Sequence, residues 1–149
     1  MEALLDAAFG PDRRARTVYR VREGLEWLPD LSYAARGGAG LIATLQSWPV
    51  RLVADEGRSI PLVLVGPVAV APSAQGQGLG TDLMARLLGD AEARGAPALM
   101  MVGDPEYYAR FGFSAEATGG WRLPGPFEAR RLLARGGAPS VKGEIVGGW

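Results

Sequence analysis

The chain has 149 residues, 48% of them apolar and 21% charged, and a formal net charge of zero. This size suits one domain, and we expect residues 1–149 to form a single domain. The chain contains no Cys and no His, which excludes disulfides, thiol nucleophiles, Ser-His-Asp triads and the usual zinc sites, so we expect no metal.

Charge and hydropathy also limit the partners. Zero net charge provides no long-range field that would favour nucleic acid or an anionic membrane. No apolar run is long enough to span a bilayer, and the first residues do not resemble a signal peptide, so we expect a cytoplasmic protein. Fifteen of the sixteen basic residues are Arg, which together with abundant Ala, Gly and Pro indicates a GC-rich bacterial genome.

Two helices are predicted at the start of the chain. The first spans Glu2 to Phe9, and the second spans Arg13 to Glu23 with Asp12 as its N-cap. Arginines on the second helix could indicate an RNA contact, but in a neutral chain they are more typical of a solvated face. They are Arg13, Arg14, Arg16, Arg20 and Arg22.

A hairpin is predicted next. Its strands are Leu31 to Arg36 and Leu41 to Trp48, joined by the glycine-rich turn Gly37 to Gly40. Pro49 to Ile60 is expected to be a polar connection that contains a short strand at Val50 to Val53.

The central stretch combines a buried strand with an amphipathic helix. Leu62 to Val70 is almost continuously apolar, which is typical of a strand covered on both faces. Gly66-Pro67 interrupts it and favours a β-bulge, because proline cannot donate to the ladder. The helix runs from Leu79 to Arg94 and ends at Gly95. Two i,i+4 ion pairs are expected on it, Asp82–Arg86 and Asp90–Arg94.

The turn between strand and helix carries Gly76, Gly78 and Gly80. A helix N-terminus attracts anions, and glycines leave its amides accessible to a phosphate. The spacing is not that of a dinucleotide fingerprint, which would need glycine at Thr81, and no Lys is present for a P-loop. The alternative is that these glycines only allow close packing of helix and strand.

The last third of the chain is predicted to hold short elements. Ala98 to Val102 is expected to form a strand parallel to Leu62–Val70, because a helix joins them. Asp104 and Pro105 would cap and open a short helix. We favour a strand at Phe127 to Ala134 over a helix, and a final strand at Ser140 to Val146.

Two segments resemble motifs of the GCN5-related N-acetyltransferase (GNAT) superfamily. Val70 to Gly80 is similar to its acyl-CoA-binding motif, and Tyr108 to Phe113 is similar to its Tyr-x-x-x-Gly-Phe element. Met101 to Phe113 also resembles a bacterial branch of predicted N-acetyltransferases. The resemblance implies a mixed α/β (α+β) fold with a central, mostly antiparallel sheet, a splayed parallel strand pair, and helices on both faces.

The resemblance also implies a function. The chain would transfer an acetyl group directly from acetyl-CoA to a primary amine of a small molecule or protein. Tyr108 would be the general acid to the CoA thiolate, and a backbone N–H in Val68–Val70, foremost that of Val70, would be the oxyanion donor. The implied CoA-binding residues are Val68, Ala69, Val70, Gln75, Gly76, Gln77, Gly78, Leu79, Gly80, Thr81, Tyr107 and Phe111.

The chain departs from the family pattern in two places. The family's usual strand before the first helix is not evident, so an N-terminal edge strand could be missing. The Asn that many relatives carry after the strand matching Ala98–Val102 is replaced by Gly103-Asp104, so its hydrogen bonds do not transfer.

Several alternatives remain open. The chain could be a non-catalytic CoA-binding module in which Tyr108 only packs. A toxin-like enzyme acting on aminoacyl-tRNA is disfavoured, because such a partner calls for a basic face. The acceptor is not revealed, and the segment from Phe127 onward could form a homodimer.

No general base is evident, the candidates being Glu23, Glu26, Asp104 and Glu106. Trp27, Tyr33, Trp48 and Arg20 could line an acceptor pocket, although core packing is the better interpretation of each aromatic residue.

Overall fold

The computed structural model describes Leu4, residues 17–38 and residues 40–149. Apart from Leu4, which is helical and buried, the predicted helix at Glu2 to Phe9 lies outside the described residues. The predicted N-cap at Asp12 and the start of the second helix, with Arg13, Arg14 and Arg16, also lie outside them, as does Ala39 in the hairpin turn.

The elements largely follow the predicted order. The helices are α1 (Thr17–Val21), α2 (Leu79–Arg94) and α3 (Pro105–Tyr108), with 3-10 turns at Pro29–Leu31, Pro72–Ala74, Ala109–Phe111 and Ala129–Arg131. The strands are β1 (Tyr33–Gly37), β2 (Gly40–Ala54), β3 (Ser59–Val70), β4 (Leu99–Val102), β5 (Phe113–Ser114), β6 (Trp121–Arg122), β7 (Leu132–Arg135) and β8 (Gly143–Gly147).

All eight strands form one mixed sheet in the order β5-β7-β4-β3-β2-β8-β6, with β1 also paired to β2. The pairs β3–β4 and β6–β8 are parallel, and the other pairs are antiparallel. The predicted fold class is therefore confirmed. The sequence had not indicated the second parallel pair.

The prediction for Pro49 to Ile60 is confirmed for the strand at Val50 to Val53 but wrong for the polar connection, because β2 continues through Pro49 to Ala54 and only residues 55–58 join it to β3. Along the edge that faces away from β3, strand β2 pairs with β1 up to Leu45 and with β8 from Val50 onward. Pro49 lies between these two partners, where a missing N–H interrupts no ladder. Its carbonyl still accepts from Gly148 N at 2.9 Å.

The predicted bulge at Gly66-Pro67 is confirmed. Leu45 of β2 pairs with Val68, but Ser47 pairs with Val65, so two residues of β3 stand opposite one residue of β2. The buried indole of Trp48 donates to Gly66 O at 2.6 Å and so fixes the bulge from the neighbouring strand.

The two parallel strands part soon after they meet. Only Val63–Leu99 and Leu64–Met100 are paired between β3 and β4, although β3 continues for six residues beyond Leu64. The predicted splayed pair is therefore confirmed.

The sheet separates two apolar cores. Leu83, Met84 and Leu87 of α2 pack on one face, and Val21 of α1 packs on the other. We call these the α2 face and the α1 face. Because side chains alternate along a strand, Val63, Val65 and Met101 face α2, whereas Leu64, Met100 and Val102 face α1.

Helix α2 ends as predicted at Gly95, which has a φ of 62° and donates to the carbonyls of Ala91 and Glu92. The two predicted ion pairs are wrong. Arg86 instead lies 3.9 Å from Asp90, and Arg94 reaches Asp30 at 3.3 Å. The Asp90 carboxylate also accepts from the Tyr33 hydroxyl at 2.7 Å. Arg86 therefore keeps a helical partner, whereas Arg94 takes a tertiary one.

The C-terminal segment differs from the prediction in its first half. A 3-10 turn at Ala129–Arg131 precedes β7, so only the end of the predicted Phe127 to Ala134 strand is extended. Strand β7 lies between β5 and β4, and β8 lies between β2 and β6. Both edges of each strand are thus used within the chain, and a homodimer through this segment would need another surface. No helix in the described ranges is long and apolar enough to cross a membrane.

Candidate active site

The glycine turn leaves the start of α2 bare. Gly76 and Gly78 have φ angles of 86° and 77°, in the left-handed region where side chains are disfavoured, and a Cβ on either would meet nothing within 4 Å. Gly80 is different, because a Cβ there would lie 3.8 Å from the Val70 side chain and 3.9 Å from Tyr107 Oη. Gln75 folds back to donate to Val70 O at 3.4 Å, and Gln77 is exposed.

The N-terminus of α2 has free amides. Gly78 is its N-cap and provides no side chain to accept from them. The first N–H bonded to the cap carbonyl is that of Asp82, which donates to Gly78 O at 2.9 Å. The N–H groups of Leu79, Gly80 and Thr81 therefore lack intrahelical acceptors and present the positive end of the helix dipole. The Thr81 hydroxyl lies 3.2 Å from that of Tyr107.

A cavity of about 380 Å³ occupies the gap between the splayed strands. Residues 64–68 of β3 form one wall and residues 101–104, at the end of β4, form the other. Tyr107 and Tyr108 line it from the α2 face, and Val18, Tyr19 and Arg22 line it from the α1 face. The cavity thus runs through the sheet, and a molecule bound on one face can meet a molecule bound on the other.

The strand backbone also faces this gap. Ala71 N donates to Ile42 O, in β2, at 2.7 Å, whereas Val70 O turns the other way to accept from Gln75. Because successive N–H groups of a strand point in opposite directions, the N–H groups of Val68 and Val70 point away from β2. They are directed toward the space that β4 has left, while Ala69 is turned to β2.

Tyr108 occupies the cavity wall because Gly103 makes room for it. A Cβ on Gly103 would lie 2.7 Å from the Tyr108 ring. The ring also packs edge-to-face on Tyr107, with centroids 4.8 Å apart, and near the buried Phe111. Burial, followed by the nearby Tyr107 and Asp104, raises the pKa of Tyr108 to about 12, and Arg131 acts in the opposite direction.

Asp104 caps α3 as predicted, accepting from Glu106 N at 3.0 Å. Hydrogen bonds from Glu106 lower the pKa of its carboxyl below the usual value, with Arg130 adding to the effect. Of the predicted base candidates, Asp104 lines the cavity, whereas Glu106 pairs on the outside with Arg130 at 2.7 Å. Within the described ranges, no group of three or more acidic side chains is arranged to hold a metal.

A second cavity, of about 750 Å³, adjoins the first on the α1 face. Val18, Val102 and Arg131 line both cavities, and Arg20, Phe127 and Glu128 line only the second. Thr17 donates to Pro126 O and thereby links α1 to this wall. Among the aromatic residues suggested for an acceptor pocket, Tyr33 lies on the α2 face beside Asp90.

Sequence reasoning missed Arg131 and Glu128. Neither residue belongs to a local motif, and only the pairing of β7 with β4 brings them to the cavities. The pairing of β7 with β4 is the information that would have located Arg131 and Glu128.

Comparisons with known proteins agree with this arrangement. A family model described as "Acetyltransferase (GNAT) domain" matches residues 1–115. The "Uncharacterized N-acetyltransferase YhbS" of Escherichia coli K12 is 31% identical over 118 residues, which make up 78% of this chain and 68% of that protein.

Two solved structures share the fold. The structure of YhbS from Escherichia coli in complex with CoA has a TM-score of 0.73 at 28% identity and covers 97% of this chain and 81% of that chain. A GNAT family acetyltransferase from Brucella melitensis in complex with acetyl-CoA has a TM-score of 0.65 at 23% identity, with 97% and 84% covered.

Proposed function

The chain belongs to the GNAT acetyltransferase family, and on that premise we propose that it transfers an acetyl group from acetyl-CoA to a primary amine of a small molecule or protein. The observation that carries this proposal is the cavity through the splayed strands, with Tyr108 in its wall. The donor would enter from the α2 face and the acceptor from the α1 face. We further propose that residues 1–149 act as one domain.

The donor site we propose begins at the glycine turn. Its residues suit a diphosphate, because the amides of Leu79, Gly80 and Thr81 have no helical partner and Gly76 and Gly78 present no side chain. The outward N–H and C=O groups of Val68 and Val70 suit an extended amide-containing chain such as the pantetheine arm. When bound, acetyl-CoA supplies the reactive thioester.

Tyr108 would serve as the general acid. With a pKa of about 12 it holds its proton at neutral pH and can donate it to the departing sulfur. Burial raises the pKa of a thiol as well as that of a phenol, so the same apolar wall favours a protonated sulfur product.

A backbone N–H would stabilise the negative charge that develops on the thioester oxygen. The N–H groups of Val68 and Val70 both point away from β2, and Val68 lines the cavity together with Tyr108. We therefore favour Val68 alongside Val70 for this role.

We propose that the acceptor enters as the neutral amine, without a dedicated base in the cavity. Asp104 is engaged as a helix cap, and its lowered pKa makes it a poor base. Consequently kcat/KM should rise with pH through the pKa of the acceptor ammonium. At pH values below the Tyr108 pKa of about 12, and while the protein stays folded, kcat/KM should not fall again. A descending limb near neutral pH would contradict this assignment.

The alternative is a CoA-binding module without turnover, and the observation that favours it is that the described residues lining the cavity offer no available base. The test is purified chain, acetyl-CoA and a panel of amines, followed by thiol release and by mass of the acetylated amine. Amine-dependent thiol release supports the enzyme. Micromolar CoA binding with no transfer to any amine supports the module, and absence of CoA binding removes both.

A further inference from the structure

The α1 face of the two cavities is rich in positive charge. Arg22 lines the first cavity, Arg20 lines the second, and Arg131 lines both. In the part of the chain that the structure describes, two carboxylates share these walls: Asp104, which is engaged as the cap of α3, and Glu128. Among the described residues, the acceptor side therefore presents the guanidinium groups of Arg20 and Arg131 against one carboxylate that has no capping role.

Arg131 is placed at the junction of the cavities. It is half-buried, and its Nε donates to Gly103 O at 3.3 Å, which leaves the terminal nitrogens directed elsewhere. No carboxylate among the described residues lies within 4 Å of its guanidinium. Its neighbour Arg130 is different, because Arg130 pairs with Glu106 on the outside. A planar guanidinium with unused donors is suited to bind a carboxylate or a phosphate.

Arg20 extends this charge to the outer cavity. Its Nη1 donates to Pro124 O at 3.4 Å, and it lies over Gly125, where a Cβ would come within 2.9 Å of the same nitrogen. The close approach holds Arg20 against the loop at residues 124–126. Thr17 also contacts this loop, because its hydroxyl donates to Pro126 O.

From these observations we propose that the acceptor amine carries a carboxylate or phosphate group, which Arg131 binds with Arg20 at the outer cavity. The amine would then point through the splayed strands toward Tyr108. This inference rests on the proposed function and specifies the substrate class of the same site. The two anions offer the same chemistry to a guanidinium, so the experiment must tell them apart.

The experiment measures acceptor-side binding without requiring turnover. CoA-loaded protein is titrated by calorimetry with N-acetyl-γ-aminobutyrate, with its uncharged amide, and with N-acetyl-phosphoethanolamine. We expect at least one anion to bind about tenfold or more tightly than the amide, as a charge-assisted hydrogen bond would give. The tighter anion identifies carboxylate or phosphate. Equal affinities, or no binding of any of the three, would overturn the inference.

Matched variants assign the effect to Arg131. Arg131→Gln should remove the preference for the anion, Arg131→Lys should retain part of it, and Arg130→Gln should keep all of it. The affinity for CoA, titrated first, should be the same in all variants, which also reports that they are folded. A preference unchanged by Arg131→Gln overturns the inference, whereas failure of the wild-type chain to bind CoA counts against the proposed function instead.

Discussion

The two faces of the central cavity are built in opposite ways. On the α2 face, the strand end, the glycine turn and the start of α2 follow one another within residues 68–81. On the α1 face, α1 is joined to the wall at residues 124–126 by hydrogen bonds that span 109 and 104 positions of the chain. The first side presents backbone groups beside two tyrosines, and the second presents mainly side chains, several of them charged.

This difference determines what each side can tolerate. A backbone site is damaged by any side chain that covers its amides, whichever residue supplies it. A site built from side chains depends on the charge of individual residues. A substitution there can change which ligand binds while the fold persists. The proposed donor side should therefore be sensitive to bulk at glycine positions, and the proposed acceptor side to loss of individual charges.

The largest effect is expected for Gly78→Glu. The new carboxylate would repel a diphosphate and cover the α2 amides, so CoA binding should be lost in a calorimetric titration. A side chain at a φ of 77° also costs about 1 kcal/mol of stability. Gly137→Glu is the matched control, because Gly137 has a φ of 89° with nothing near its Cβ. If Gly78→Glu still binds CoA like this control, the glycine turn is not the donor site.

The second-largest effect is expected for Tyr108→Phe. If Tyr108 is the general acid, this change should lower kcat about 100- to 10,000-fold, with little change in CoA affinity. Tyr107→Phe, its neighbour, loses only the contact of its hydroxyl with Thr81, and its kcat should fall far less. Steady-state kinetics with an active amine decide the matter, and equal kcat values for the two variants would refute the role of Tyr108.

A smaller effect is expected for Gly103→Ala. The added methyl group would overlap the Tyr108 ring at 2.7 Å and push it from the cavity wall. If Tyr108 is the general acid, its displacement should lower kcat about 10- to 100-fold. At Gly119 a Cβ meets nothing within 4 Å, so Gly119→Ala serves as the control and should leave kcat unchanged. Unaltered kcat in Gly103→Ala would show that the ring position is not critical.

The smallest effect is expected for Gly89→Ala. Gly89 is exposed in the middle of α2, and a Cβ there meets nothing within 4 Å. Alanine should raise the free energy of unfolding by roughly 0.5–1 kcal/mol in chemical denaturation. CoA affinity should not change, because only the first turn of α2 belongs to the proposed donor site. A loss of affinity would mean that the donor site extends along the helix.

Local chemistry explains which predictions succeeded. The glycine turn, α2 with its end at Gly95, the Asp104 cap and the bulge at Gly66-Pro67 each depend on residues close in the chain. Two of the failures involve distant partners. Pro49 marks no strand end because it falls between β1 and β8, and Arg94 turns to Asp30 rather than to Asp90.

The motif resemblance carried by the sequence determined the family and the mixed fold. Glycine and helix-capping preferences, which act over a few residues, determined the glycine turn and the end of α2 at Gly95. The tertiary structure alone decided where β3 and β4 part, that the resulting cavity crosses the sheet, and that Arg131 and Glu128 reach it. The physical reason is that strand pairing joins residues far apart in the chain, and no local preference records which strands will meet.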